Sequence, residues 1–570
     1  MTNTSMPLTK NEVFSRVPKS SAITYSTFNR DHRHLTAMDA SYMYPIFVDE
    51  VYPGDIFELT GRHLNRLLAS VKPFMDNLYT RYFFFYCPYR LVWENWKRLM
   101  GERRRPDEQN SDQYQVPMLN SGANGVAVGS IFDYAGIPVG VPNLEFSALP
   151  FRAMNLCYNE WFRDENLSTW LNVGGSGSTE QALKDSEFGD SDQLSNYNLF
   201  RISKRHDYFT SSLPFQQLGA PMSISIGDQA IVKASDKHAF LNQQNRLSAT
   251  SVCTSYQTET IGNGGLGFTT DGYVCNVGLD GNSGSSVLLF DNLYADLSNV
   301  TGFTISDLRT SIQLQALKEL NARMGHRYKE IIYGEFDVTV SDATLDRPEF
   351  LGSYTKYFNV IPVASTAETE ENPQGNLSAF SFTDNGENHG FIKAFEEHGC
   401  VIGFAVTQTD QSYQQGLNRF WSRKNKYDFY TPLLADISEQ AIKMKEILAQ
   451  GSSVVDENGD PVDEKTFGYQ EAWAEMRYKP NMVTGKMRSQ ADGSLDVWHL
   501  ATEFEPTVLD GENVGVPLNQ SFIEDNTREN LARVLAVSGE PQIESDNYFH
   551  LLCTRELPIY SVPAYLLGRL

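Results

Sequence analysis

The residues of this chain that could do chemistry are few and poorly grouped. "GNGGLG" (Gly262–Gly267) has the spacing of a dinucleotide-binding turn. Such a turn works by presenting a helix N-terminus to pyrophosphate, yet "FTTDGYVCNV" follows it and reads as a strand. "DENGDPVDE" (Asp456–Glu464) imitates a calcium loop, but Pro461 stands where that loop turns on glycine and Phe467 where it needs glutamate, so a solvated turn is expected. "DHRH" sets His32 and His34 on one face of a strand. Two histidines alone do not make a metal site, and surface histidines are the plainer reading. "GGSGS" and "GNSGS" lack the second glycine of a nucleophile elbow. Plentiful Asp and Glu could supply a glycosidase pair, but spacing along a chain cannot give the separation that such a pair needs. No catalytic residue, metal site or cofactor is expected. Phosphate contact is the remaining chemistry: Arg103, Arg104 and Arg105 in "ERRRP", with Arg30 and Arg33, are its candidates. Ordinary solvated or intersubunit charge is the competing reading for each.

The elements that must position these residues are mostly strands and loops. Gly, Asn, Ser, Thr and aromatics dominate the 570 residues, and helix-forming stretches are short, which favours an all-β architecture. With 47 Lys and Arg against 71 Asp and Glu, the net charge of −24 repels nucleic acid on average. No apolar run reaches the roughly 18 residues of a membrane span, and the first residues lack a signal-peptide core, which argues against membrane insertion and secretion. Cys87, Cys157, Cys253, Cys275, Cys400 and Cys553 are scattered singly, as buried free thiols would be.

The most informative stretch is "DNLYTRYFFFYCPYRLVWENWKRLMGE", Asp76 to Glu102, with nine aromatic side chains between Tyr79 and Trp96. A strand bare on one face alternates; Tyr82–Cys87 does not, so it should be covered on both faces. After Pro88 the spacing of Leu91, Val92, Trp93, Trp96, Leu99 and Met100 predicts a short amphipathic helix stopped by Gly101. "SYMYPIFVDEVYPGDIFEL" predicts strand, turn, strand. Phe151, Met154, Leu156, Trp161 and Phe162 predict a helix. Another should run from a Ser306 N-cap to Gly325, with Leu308, Ile312, Leu317, Leu320 and Met324 as its stripe. A third is expected over "ADISEQAIKMKEILAQG", with Ile437, Ala441, Met444 and Leu448 on one side and Gly451 at its end. "HGCVIGFAVTQT" reads as a core strand.

Many segments together resemble the major capsid protein of the Microviridae, small icosahedral single-stranded DNA phages, and within them the gokushovirus group. They include "STFNRDHRH", "YPIFVDEVYPGD", the Asp76–Glu102 stretch, "PFRAMNLCYNEWFRDENL", "KRHDYFTSSLPFQ", "RPEFLGSY", "FGYQEAWAEMRYKPNMVTGKMRS" and "EPQIESDNYFHLLCTRELPIYSVPAYL". They run in the family's order across nearly the whole chain, fading chiefly at 165–200 and 222–300. The resemblance implies an eight-stranded viral jelly-roll β-barrel with very long inter-strand insertions. The expected organisation is an N-terminal arm (1–40), jelly-roll strands with inserted loops (41–221), a variable insertion forming a threefold surface protrusion (222–300), the remaining strands and insertions (301–556) and a C-terminal arm (557–570). In that arm Pro558 and Pro563 forbid helix, while Ile559, Tyr560, Val562, Tyr565, Leu566 and Leu567 are apolar and need a covering surface, a neighbouring subunit or the chain's own barrel.

The resemblance further implies sixty copies in a T=1 shell around circular single-stranded DNA, assembled in the bacterial host cytoplasm and residing in the virion. Its implied partners are a small basic internal DNA-binding protein, scaffolding and DNA pilot proteins, and a host cell-surface receptor. The alternative from the residues alone is a soluble β-rich carbohydrate-active enzyme or lectin, which the Tyr and Trp content and the acidity would suit.

Overall fold

The computed structural model describes residues 24–102, 114–171, 192–219, 305–364, 377–385, 389–435, 438–509 and 511–560, with the backbone of short strands between 231 and 296. The principal strands are β1 (Ser26–Asn29), β2 (His32–Met38), β3 (Tyr42–Val51), β4 (Ile56–Leu67), β5 (Leu78–Pro88), β6 (Glu349–Tyr357), β7 (Asn359–Ala364), β8 (Leu377–Asn385), β9 (His389–Ala394), β10 (Gly399–Thr409) and β11 (Ile543–Arg555). They form two antiparallel sheets.

In one sheet β11 is central: β1 and β2 pair along one side of it, and β4 pairs along the other from Ile543↔Leu67 to Thr554↔Ile56. β8 and β9 share the far side of β4, and β7 extends β8. In the other sheet the order is β6–β5–β10–β3, with β5 and β10 paired without interruption from Gly399↔Pro88 to Thr409↔Leu78. Taking β1/β2 and β8/β9 each as one bent strand, the sheets read first–eighth–third–sixth and second–seventh–fourth–fifth. That is the strand order of a jelly roll. The strands of "SYMYPIFVDEVYPGDIFEL" thus part at Gly54, whose φ of 93° suits only glycine, and enter opposite sheets.

The core between the sheets is aromatic, with Phe47, Phe57, Tyr82, Phe84, Tyr86, Phe391, Phe395 and Phe549 all buried. Gly403 of β10 is forced by this crowding: a Cβ there would sit 2.8 Å from Phe84 Cε1 and 2.9 Å from Phe47 Cβ. The two sheets differ in what covers their outer faces. β4 alternates exposed and buried residues, the pattern of a wall bare on one side. β10 is buried at every position, and β5 at every position but Arg81.

The cover comes from described parts of the chain inserted after β5, between Tyr89 and Ile202. Its helix α1 (Leu149–Trp161) packs with Phe83, Phe85 and Cys87 in a second core, where Phe83 meets Phe162 at 4.9 Å and Phe85 meets Trp161 at 5.5 Å between ring centroids. Arg152 of α1 is wholly buried and donates to both carboxylate oxygens of Asp192 at 2.8 and 2.7 Å and to the Val92 carbonyl at 3.1 Å. The expected strand covered on both faces is therefore present. The second long insertion, residues 410–542, builds a third small core from Tyr413, Ile442, Met444, Ile447 and Phe522 together with Tyr208 and Phe209 of the first.

Several local expectations are corrected. The helix expected after Pro88 is two single turns, Tyr89–Val92 and Trp96–Leu99. Trp93 breaks it in extended conformation, sinking its indole fully into the core while Trp96 meets the Tyr89 ring at 4.9 Å, tilted by 59°. The helix expected from 435 to 450 is a strand, Glu439–Lys443, and one helical turn, Met444–Ile447. Pairing with Thr466–Glu471 outweighs its helical spacing, and Ile437 lies outside the described residues. Helix α2 (Ile305–Arg323) begins before Ser306, which lies in its first turn and not at its cap. Residues 26–38 of the expected arm are strands of the first sheet.

The chain divides into two compact units, 1–218 with 319–570, and 219–318. In the second, Gly265–Phe268, Val274–Val277 and Ser286–Val287 form a three-stranded antiparallel sheet, and Ile231–Ala234 pairs with Leu293–Asp296. Gly265 and Gly267 of "GNGGLG" thus lie in a strand, the wrong setting for pyrophosphate.

Candidate assembly surface

The groups that might have made a catalytic or metal centre are used structurally. His32 Nδ1 lies 3.0 Å from the Arg30 carbonyl and His34 Nδ1 lies 2.9 Å from the Ile46 carbonyl. Among the described residues no group of His, Cys, Asp and Glu is placed to hold a metal ion. Cys87, Cys157, Cys400 and Cys553 are buried free thiols, and burial pushes the first three well above the ordinary thiol range. Cys253 and the side chain of Cys275 lie outside the described residues. "DENGDPVDE" is a turn closed by its own aspartate: Asp456 Oδ1 accepts from the amides of Asn458 at 3.0 Å and Asp460 at 2.9 Å.

The two described candidates for phosphate contact, Arg30 and Arg33, are each paired with a carboxylate. Arg30 forks onto Asp49 at 2.5 and 3.1 Å. Arg33 forks onto Asp546 at 2.5 Å through both Nε and Nη2, and this hydrogen bonding holds the Asp546 carboxyl below its usual range. Both guanidinium groups remain half-exposed with their charge matched within the chain. Arg103, Arg104 and Arg105 lie outside the described residues, as do Val562, Tyr565, Leu566 and Leu567. Ile559 and Tyr560, the described part of the C-terminal arm, are exposed.

Inside the barrel lies a polar cluster that the strand pattern concealed. His63 of β4 stacks on Tyr82 at 3.9 Å and contacts Asn547 Oδ1 at 2.5 Å and His389 Nε2 at 3.0 Å. Burial, then the neighbouring His389, lowers the His63 pKa to about 3, so the ring is neutral. Asn65, Ser545 and Tyr82 continue the network. His63 and Asn65 occupy two of the buried positions in the alternation of β4.

Outside the barrel the surface is unusually apolar. Helix α2 leaves Ile312, Leu317 and Leu320 of its predicted stripe exposed, and Ile392 of β9 is 72% exposed. A dense group lies on and between three short 3-10 turns, Arg419–Ser422, Lys426–Asp428 and Pro432–Leu434. Phe420, Trp421, Tyr427, Phe429, Tyr430 and Leu433 all face out there, Leu433 at 93% and Tyr427 at 77% exposure. Monomeric proteins rarely leave so many large apolar side chains uncovered, and such patches mark contact surfaces. Periodicity missed this strip, because 3-10 turns keep neither a helical nor a strand repeat.

Comparison with known proteins agrees with this geometry from end to end. The family described as "Capsid protein (F protein)" matches residues 15–565. The capsid protein VP1 of Chlamydia phage 1 is 38% identical, over 98% of both chains. The VP1 proteins of Bdellovibrio phage phiMH2K, at 37% over 97% of both, and Spiroplasma virus 4, at 34% over 96% of both, are similarly related. These are structural proteins, and nothing in their names supports the carbohydrate-active alternative. The jelly roll, its two long insertions and the full-length match together assign the chain to the capsid protein (F protein) family of the Microviridae.

Proposed function

We propose that sixty copies of this chain close into a T=1 icosahedral shell around a circular single-stranded DNA genome. The supporting observation is the apolar surface carried outside a completed barrel. The jelly roll already buries its own aromatics, so exposed Ile392, Ile559 and Tyr560 have no folding role that needs them apolar. Burial between neighbouring subunits gives them one. The segment 557–570 acts as an intersubunit arm, its apolar side chains needing a covering surface.

Residues 222–300 form a surface protrusion at the threefold axis that meets a host receptor. Their small paired strands are too few to be stable alone, and clustering of copies around an axis supplies the missing burial. Genome neutralisation falls largely to a small basic internal protein, because this chain is acidic overall and Arg30 and Arg33 already have carboxylate partners. Arg103, Arg104 and Arg105 are the remaining proposed lumenal contacts. Scaffolding and DNA pilot proteins complete the partners, with assembly in the host cytoplasm.

The test is expression with those partners, followed by negative-stain imaging of the parent and of a chain truncated after Glu556. The parent should give uniform spherical particles and the truncated chain a folded species that does not assemble. A truncated chain that still builds shells would remove the arm's role. Replacing residues 250–295 by a short Gly/Ser linker should permit assembly and reduce adsorption to host cells; normal adsorption would remove the receptor role.

A further inference from the structure

We infer that the strip Arg419–Leu434, with the neighbouring segment Trp473–Met482, is a binding platform for single-stranded polynucleotide, which deepens the shell reading and rests on it. The two segments form one surface. Trp473 Nε1 donates to the Leu434 carbonyl at 2.8 Å, Tyr430 meets the Trp473 ring at 5.4 Å, and Arg423 pairs with Glu475 at 3.0 Å. The turns are held from beneath by backbone capping: Asp428 accepts from the amides of Lys424 at 2.8 Å and Asn425 at 2.7 Å, and Asn418 accepts from Phe420 at 3.2 Å. With these internal polar groups satisfied, the rings remain outside. Trp421 is 70% exposed and Tyr427 77%, and Phe420, Phe429 and Tyr478 are also exposed.

Cations are threaded between these rings. The two segments hold six Lys and Arg (Arg419, Arg423, Lys424, Lys426, Arg477, Lys479) against two acids, Asp428 and Glu475, in a chain whose net charge is −24. Arg419 and Arg477 are tied to Glu446 and Glu471 as Arg423 is to Glu475, but Lys424, Lys426 and Lys479 form no ion pair among the described residues.

Exposed aromatic faces with unmatched cations at short intervals are what a single strand needs: bases stack on the rings and phosphates meet the cations. Duplex DNA, its bases already stacked, could use only the cations. A second copy of the chain is the other possible occupant, suited by Leu433 and Met482. Against it stands the lysine content, because lysine is depleted from the centres of protein–protein interfaces.

The test is fluorescence anisotropy of the full-length chain with a labelled single-stranded oligothymidylate and with a duplex of equal length, across a salt series. The parent should bind the single strand in preference to the duplex, with affinity falling as salt rises. Trp421→Ala/Tyr427→Ala should weaken single-strand binding about tenfold or more without changing the salt slope. Lys424→Gln/Lys426→Gln should weaken it and reduce the slope by about 1.4, at ~0.7 per phosphate contact. Circular dichroism should show both variants folded, since the altered side chains are exposed. Absence of binding by the parent, equal preference for duplex, or variants that bind as the parent does would overturn the platform. Variants that bind as the parent does but no longer form particles would assign the strip to copy–copy contact. Shell imaging of the parent is a separate readout, so loss of the platform leaves the shell reading standing.

Discussion

Two regions of this molecule are both rich in aromatics and end in opposite places. Leu78–Pro88 sends its rings to both sides of a strand, Tyr82, Phe84 and Tyr86 into the barrel and Phe83 and Phe85 under α1, and every ring is buried. Arg419–Leu434 holds Phe420, Trp421, Tyr427, Phe429 and Tyr430, and every one is exposed. The difference lies in what stands between the aromatics. In the strand Arg81 is the only charge, and it lies over Phe83 at 4.7 Å, so the backbone pairs on both sides without stranding a polar group. In the strip Arg419, Arg423, Lys424, Lys426 and Asp428 recur too often for any face to be buried, and Pro432 interrupts pairing. Aromatic content states how much surface is sticky; the interleaved charges decide whether the chain covers it or a partner does.

The comparison breaks most visibly at the covered strand. Phe85→Ala, opening a cavity between β10 and α1, should cost ~3–5 kcal/mol in chemical denaturation. Arg152→Ala should cost about as much, roughly 3–5 kcal/mol, by leaving the buried Asp192 carboxylate without its guanidinium. If either change left the denaturation midpoint unmoved, the insertion would not be the strand's cover.

Acid sharpens the barrel-facing side of the same strand. His63, stacked on Tyr82 and facing His389, Asn547 and the Lys356 ammonium, has a folded pKa near 3 against an unfolded value of 6.5. The unfolded chain therefore binds the proton more readily. The neutral ring's contribution is fully present above about pH 6.5 and is lost progressively as pH falls from there toward 3, by up to roughly 4–5 kcal/mol. Asp76 and Asp525, whose carboxyls burial raises, work in the opposite direction lower in the range. A His63→Asn variant should flatten the upper part of this acid limb in a stability–pH series; an unchanged limb would show that His63 does not set it.

The exposed strip should behave otherwise. Trp421→Ala should shift stability by less than ~0.5 kcal/mol, the range of ordinary surface changes, measured by the same denaturation. A loss of several kcal/mol would mean that this ring is part of the chain's own core.

What was legible in the sequence follows the same division. The doubly covered strand, the core strand Gly399–Thr409 and helix α1 could be read because continuous apolar runs and helical spacing report burial directly. The strand–helix error at 435–450 arose because Ala441, Met444 and Leu448 keep helical spacing, and only pairing with the distant strand Thr466–Glu471 overrides it. Jelly-roll order itself is a matter of long-range pairing, β2 with β11 across some five hundred residues, and no local pattern encodes it. The polar cluster at His63 and the ion pairs of Arg30 and Arg33 were illegible for the same reason: each side chain's partner lies on another strand.

As a capsid-family chain, this protein is expected to be the repeating subunit of a closed shell. Mass measurement of purified particles, after expression with the scaffolding and internal partners, tests that most directly. That subunit role predicts a discrete protein mass contributed by this chain of sixty times 64.3 kDa. A stable 64.3 kDa monomer under those conditions, with no larger closed species, would contradict it.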